Sequence, residues 1–343
     1  MDVINLRSDT QTLPTPEMLA AMASAPLGDD TFDEDPTVQK LEKMAAARMG
    51  TEAAMLVLSG TMGNLVALMS HARSGEEVIL DAQSHIYAYE GGGLASVAGL
   101  MPRTVPSREG MLDPRDVRAA IREPNIHFPR PRLLCLENTH NLSGGRVVPL
   151  DLHAELCGIA HERGMAVHLD GARIFNAAIA AGVPPAEYVR HVDSVMFCLS
   201  KGLSCPLGSV LCGSGDFVAL ADAARKRVGG GMRQAGVIAA AGIVALEHMV
   251  DRLAEDHASA KLLASLLAGI AGLRVDAEAV ETNMVLVDHT PTGLSTAEFV
   301  ARLKGAGVLC SPRPPSMVRL VTNRHHDAEA IREAARRIER AVA

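Results

Sequence analysis

The 343-residue chain has no tryptophan, and its aromatic residues are limited to three tyrosines and six phenylalanines. None of these is interleaved with basic residues, and the net charge of −7 is not offset by any basic tract. That combination argues against a nucleic-acid-binding protein. No CxxC pair occurs among the six cysteines, Cys135, Cys157, Cys198, Cys205, Cys212 and Cys310. Cys135, Cys198 and Cys212 lie in apolar, strand-like runs where a free thiol acts as a small hydrophobe, so a reduced, cytoplasmic setting is expected. Long hydrophobic runs are missing too. The longest stretch of low charge, "QAGVIAAAGIVAL" (234–246), is too short to cross a bilayer and reads as a buried helix of a core or a subunit interface. The start, "MDVINLRSDT", has no apolar segment of an export signal. Neither the dinucleotide-binding GxGxxG nor a Walker loop is found, which weighs against a nicotinamide-dependent oxidoreductase and a P-loop enzyme.

What is present is a regular alternation. Apolar or β-branched runs occur at 54–58, 77–80, 102–105, 132–137, 165–170, 194–199 and 209–213, with helix-like segments between most of them. This pattern predicts an α/β domain with a mixed, mainly parallel seven-stranded sheet. The segment 200–208 is too short for a helical crossover, so the last two strands are expected to be antiparallel. Asp35-Pro36 predicts a helix start, followed by the apolar stripe Val38, Leu41, Ala45 and Met49; Asp151 is read as a second start, with Gly164 closing that helix. A long helix is expected over 231–253. Beyond it the pattern becomes helix 256–268, strand 273–275, strand 283–288, helix 295–306, strand 318–322 and a closing helix from Asp327. The chain is therefore divided into a large domain, 21–253, and a small C-terminal α+β domain, 254–343.

In open α/β sheets ligands bind beyond the carboxyl ends of the strands. There the first run leads into Ser59-Gly60-Thr61, the fourth into Glu137-Asn138-Thr139-His140-Asn141, the fifth into Asp170-Gly171-Ala172-Arg173, and the sixth into Ser200-Lys201-Gly202. Gly60 and Thr61 open a helix whose free N–H groups suit a phosphate, although an ordinary helix start looks the same. Asp170 is either an N-cap, a structural partner of Arg173, or the counter-ion of a cationic ligand such as a pyridinium nitrogen. Lys201, a single lysine at a buried strand end, suits a Schiff base. His85 follows the second strand, where an imidazole can stack on a flat ring and exchange a proton. His127 precedes its strand and reads equally as a loop histidine.

The stretches "LRSDTQT", "GDDTFDEDP", "LSGTMGNLVALMSH", "SHIYAYEGGG", "LLCLENTH", "HLDGARIFNA", "CLSKGLSCPLGS" and "RKRVGGGMRQAG" together resemble the PLP-dependent low-specificity L-threonine aldolases, enzymes of the fold type I, aspartate-aminotransferase-like class. The resemblance runs from about residue 3 to 325 in the family's order. It implies aldol cleavage of threonine, allo-threonine and related β-hydroxy-α-amino acids to glycine and an aldehyde, with pyridoxal 5′-phosphate as cofactor and no metal. Lys201 would carry the Schiff base, Asp170 pair with the ring nitrogen, Arg173 contact the phenolic oxygen and His85 stack on the ring. Gly60 and Thr61 would hold the phosphate with Arg233 of a neighbouring subunit. Ser8, Arg173 and Arg319 would bind the substrate, Ser8 and Arg319 taking its carboxylate, and residues 1–20 would form an N-terminal segment contributing to the site. A homo-oligomer, a tetramer with shared sites, is implied. For the base at the β-hydroxyl, His85, His127 and a water stay open, with His85 favoured.

Several residues depart from the family pattern. Phe32 stands where tyrosine is common and Asp33 where glycine is, which bears on preference at the β-substituent. Leu142-Ser143-Gly144 form a loop whose length varies in the family, and Cys205 is read as packing. Other readings are a phenylserine-type aldolase, a β-eliminating lyase, an aminotransferase, or a PLP-binding protein without catalysis.

Overall fold

The computed structural model describes residues 2–342. Seven strands form the central sheet: β1 (Ala53–Val57), β2 (Glu77–Asp81), β3 (Met101–Val105), β4 (Pro131–Glu137), β5 (Ala166–Asp170), β6 (Ser194–Cys198) and β7 (Ser209–Gly213). Their order is β1-β7-β6-β5-β4-β2-β3. Only β7 runs against its neighbours β6 and β1, and the remaining pairs are parallel, so the mixed, mainly parallel sheet matches the pattern in the sequence. Six of the runs were visible because most of their residues are buried, leaving continuous apolar stretches instead of an alternation; the edge strand β3 buries only Val105.

The helices Pro36–Met49, Gly60–His71, Leu150–Glu162 and Gly236–His248 cover the sheet. Asp35 caps the first of these, accepting hydrogen bonds from the N–H groups of Thr37 and Val38, and Val38, Leu41, Ala45 and Met49 are buried as the stripe requires. Three local expectations are corrected. Asp151 lies inside the helix that begins after Pro149 instead of capping it. The expected helix 231–253 is shorter, Gly236–His248, and a separate helix Leu253–Ala268 follows it. Residues 273–275 contribute one isolated bridge, Arg274 to Asp288, and no strand.

A second, smaller sheet contains β8 (Met284–Asp288), β9 (Ser311–Arg313) and β10 (Met317–Val321) in the order β8-β10-β9, all antiparallel. Its core includes Val285, Val287, Val318 and Leu320, with Leu263, Phe299 and Ile338 from the helices packed on it. The amino-terminal residues belong to this body: Ile4–Asn5 pairs in parallel with Val308–Leu309, and the Val321 N–H donates to the Leu6 carbonyl at 2.8 Å. A few residues later the chain reaches the large sheet, where the Thr12 hydroxyl donates to the Lys201 carbonyl at 2.7 Å. The start of the chain thus spans from one sheet to the other.

Candidate active site

Lys201 follows β6 in a turn built from short links. The Leu199 N–H donates to the Gly208 carbonyl, and the N–H of Ser204 donates back to Lys201. Ser204 adopts a left-handed conformation at φ 67°. Small residues are required around it, because a Cβ on Gly202 would lie 2.7 Å from the Leu253 side chain. With Thr12 also bound to its carbonyl, the backbone of Lys201 is fixed from two sides.

Asp170, at the end of β5, is buried. It accepts from the Ala172 N–H at 3.1 Å and from the Asn64 amide at 2.9 Å. The same amide nitrogen donates to Glu90 at 2.8 Å, and Glu90 in turn meets His85 Nδ1 at 2.9 Å. Ligand-type atoms of His85, Glu90 and Asp170 lie within 4.8 Å of one another, yet the Asn64 nitrogen donates to both carboxylates, so this is a hydrogen-bonded cluster and not an open metal cage. Burial would push the His85 ring down; the hydrogen bond to Glu90 and the charges of Asp170 and Glu90 outweigh it and hold its pKa above the ordinary histidine value. Burial raises the Glu90 carboxyl despite its bonds to His85 and Asn64.

Arg173 does not pair with Asp170. It donates from Nε and Nη2 to the two carboxylate oxygens of Asp9, both at 2.7 Å, and Asp9 also accepts from Asn283 at 3.1 Å. Burial works against the Asp9 anion, but Arg173 and, secondarily, Lys201 hold its carboxyl far below the usual range. Beside this pair is Arg319 from β10, a buried guanidinium whose Nη1 donates to Asn141 Oδ1 and whose Nε has no partner. Burial first, then repulsion from Arg173 and Arg313, lowers its pKa to about 10. Two crowded guanidinium groups with an unused donor make a site for an anion such as a carboxylate.

Glu137, at the end of β4, links the two halves. Its carboxylate accepts from the His85 N–H at 2.6 Å and from the Asn141 N–H at 2.8 Å, so one buried side chain places both the imidazole and the partner of Arg319. Burial raises its pKa against the opposing field of His140. Gly60 and Thr61 begin the helix Gly60–His71, capped by Ser59, whose Oγ accepts from the Met62 N–H at 3.1 Å. A Cβ on Gly60 would stand 2.9 Å from Cys198 Sγ, so the helix start lies directly on β6 because position 60 is glycine.

The strand ends thus bring together Lys201, Asp170, His85, Arg173 and Arg319, with Gly60 and Thr61 on the same edge of the sheet. Ser8 is adjacent; its Oγ accepts from the Thr10 N–H at 3.2 Å, and the Arg7 carbonyl before it accepts from Arg319 at 3.5 Å. Two residues are not brought in by a single chain. His127 lies in the loop before β4, at the opposite edge of the sheet, where neighbouring Arg122 pairs with Glu77 at the start of β2. Arg233 is exposed and bonded to the Thr31 hydroxyl. Sequence reasoning missed Asp9, Asn64 and Glu90, and placed Glu137 at a strand end without giving it a role. Asp9 stood next to Ser8 in "RSDT", and Asn64 was a polar residue in an otherwise apolar helix stripe. Those were the available signals.

The profile of the beta-eliminating lyase family matches residues 5–290. Low-specificity L-threonine aldolase 1 of Arabidopsis thaliana is 46% identical over 331 residues, covering 95% of this chain and 92% of that protein. The chain belongs to the low-specificity L-threonine aldolase family. The family's architecture is also what the fold shows: the structure of Leishmania major threonine aldolase superimposes with a TM-score of 0.83 at 20% identity, covering 99% of each chain. A structure described as SPT with PLP as an internal aldimine gives 0.77 at 20% identity, covering 99% of this chain and 87% of that one. Membership in the family makes the chain a lyase with the fold type I architecture, as the resemblance implied.

Proposed function

We propose that the chain is a PLP-dependent aldolase cleaving L-threonine, L-allo-threonine and other β-hydroxy-α-amino acids to glycine and the matching aldehyde. The observation that carries this is the convergence, on one sheet edge, of a strand-end lysine, a buried aspartate, an imidazole and a guanidinium pair with an unused donor. These groups fit the cofactor. Lys201 would hold its aldehyde carbon, Asp170 its ring nitrogen, His85 its face, Arg173 its phenolic oxygen, and Gly60 and Thr61 its phosphate. When bound, PLP supplies an electron-withdrawing ring that accepts the electron pair left when the Cα–Cβ bond breaks.

The chain's own residues do the rest. Arg319, with Ser8 and Arg173 nearby, binds the substrate carboxylate and so fixes which bond at Cα is presented for cleavage. His85 bonds Glu90 through Nδ1, which leaves Nε2 to take the β-hydroxyl proton, directly or through a water. Residues 254–343 act as the small domain that delivers Arg319, and residues 1–20 bring Ser8 and Asp9 across to Lys201.

The assembly is a homo-oligomer, a tetramer with shared sites, placing Arg233 on a neighbour's phosphate and offering His127 to a neighbour's substrate. Supporting this, Ile126 is 93% and Phe128 49% exposed on either side of His127, apolar surface suited to cover by a second copy. A cytoplasmic setting agrees with six free, buried cysteines, and no helix among the described residues is long and apolar enough to cross a membrane. Incubation with threonine and allo-threonine should release glycine and acetaldehyde, and borohydride should fix the cofactor on Lys201. A keto acid in place of glycine would instead indicate elimination or transamination.

A further inference from the structure

Behind Asn64 lies a chain of buried polar groups that the reaction does not use. Asn64 and His71 stand seven residues apart on one face of the helix Gly60–His71, and His168 and Asp170 stand two apart on one face of β5, so Asn64 meets both residues of the strand's pair while His71 meets Ser194 of β6. Asn64 Oδ1 meets His168 Nε2 at 3.1 Å, His168 Nδ1 meets Ser194 Oγ at 2.8 Å, and Ser194 Oγ meets His71 Nε2 at 2.7 Å. Asn64, His168 and Ser194 are all fully buried. Four polar side chains in an apolar layer are costly unless each is paired.

The direction of every bond in this chain follows from its carboxylate end. Glu90 and Asp170 both present oxygens to Asn64, so the amide must turn its NH2 toward them and its oxygen toward His168. His168 therefore donates from Nε2. Burial lowers its pKa to about 3, so it is neutral and its Nδ1 accepts the Ser194 hydroxyl proton. Ser194 then accepts from His71 Nε2, whose ring burial also keeps neutral, with a pKa of about 4. A rotated amide would set its oxygen against two carboxylate oxygens and its NH2 against an imidazole N–H.

We propose that Asn64 is a positioning residue: held in one orientation by His168, Ser194 and His71, its amide clamps the Glu90 and Asp170 carboxylates together and so keeps the His85 ring bonded to Glu90 through Nδ1–H, with Nε2 free for the substrate. The inference rests on the proposed role of His85. The groups that face His85 are Glu90, Asp170 and Lys201, with Tyr89 stacked on the ring at 5.7 Å and Glu137 on its backbone N–H. Of these, only Glu90 and Asp170 depend on the Asn64 amide.

The test is the titration of the His85 ring, followed by histidine ring NMR in the full-length protein with and without PLP and assigned with His85→Gln. Asn64→Leu is close in size but donates nothing. It should weaken proton binding at His85 by about tenfold, one pH unit in the midpoint, and populate the other tautomer. His168→Leu, which frees the amide to rotate, should do the same. His168→Gln keeps a donor for Asn64 Oδ1 and should restore the midpoint to within about twofold in proton affinity. A midpoint and tautomer unchanged in both leucine variants would overturn the proposal, as would His168→Gln behaving like His168→Leu. If the leucine variants fail to fold, Ser194→Ala carries the test: a shifted tautomer ratio supports the clamp and an unchanged one refutes it. The readout requires no turnover, so failure of the wild-type protein to cleave threonine would refute the proposed function and leave this measurement interpretable.

Discussion

Asp9 grips Arg173 through two parallel hydrogen bonds of 2.7 Å across 164 positions of sequence, and neither side chain reaches solvent to a useful extent. The pair decides how Arg173 is presented to the site, since the guanidinium is held from the side of the amino-terminal segment. Removing one partner of a buried ion pair leaves the other without compensation. Asp9→Ala should therefore lose about 3 kcal/mol of stability, measured by urea denaturation, while Asp9→Asn, which still accepts one hydrogen bond, should lose less. The pH dependence has a fixed sign. The folded-state pKa of Asp9 lies below its ordinary 3.8, so its contribution is complete above about pH 4 and is lost as the pH falls further. The alanine variant should lack that acid limb in its urea midpoint.

Arg319 is expected to discriminate between arginine and lysine. Its fork reaches Asn141 on one side and leaves Nε unused on the other. A lysine at 319 would keep a charge but lose the second parallel donor. Arg319→Lys should raise KM for threonine by roughly thirtyfold, equivalent to about 2 kcal/mol, with cofactor affinity unchanged. An equal KM would remove Arg319 from the substrate site.

His85→Ala should still bind PLP, because Lys201 and the helix start at Gly60 are untouched, but kcat on threonine should drop by about a hundredfold or more if the ring is the base. Unchanged kcat would pass the role to water or to His127. His127→Ala provides the comparison, and an effect on turnover reversed by mixing with a subunit that supplies His127 would support the proposed oligomer and show that the residue acts in trans.

Glu42 offers a test of the fold independent of catalysis. It lies on the helix Pro36–Met49, and its carboxylate accepts from the Leu56 N–H at 2.8 Å. Burial, with help from Asp30, raises its pKa from 4.5 to about 7. The folded state thus holds this proton more tightly than the unfolded chain does, so the stabilisation is full below pH 4.5 and disappears as the pH rises through 7. Glu42→Gln, which keeps the acceptor, should be more stable than the wild type at pH 8 by on the order of 1–3 kcal/mol, and the two should converge near pH 4.

How much of this was legible in the residues depended on the range of the interaction. All the central strands but the edge strand β3 were legible because burial on both faces writes an apolar run into each, and Lys201 and Asp170 stood out as charges at the ends of such runs. Arg173 was read as a possible partner of Asp170 because three positions separate them; its actual partner is close only after folding, and no local pattern records that. Glu90 follows His85 across a helix of four residues, too short for a periodic signal. The pairing of Ile4–Asn5 with Val308–Leu309 involves two residues from each segment, below what any alternation can reveal. Residues 273–275 show the reverse error, a Leu-Arg-Val triplet whose hydrogen bonds amount to one bridge.

The span of the amino-terminal segment has a consequence for the order in which the site can form. Residues 4–12 are synthesised long before their partners: Ile4 waits for Val308 and Leu6 for Val321. Arg173 and Lys201 are synthesised in between and have their strand ends in place well before that. A nascent or truncated chain can therefore assemble the large sheet while Asp9 and Thr12 remain unanchored by their neighbours in the small one. Closure over Lys201 in this sense waits on residues 308–321, which lie far downstream of the lysine they help to cover.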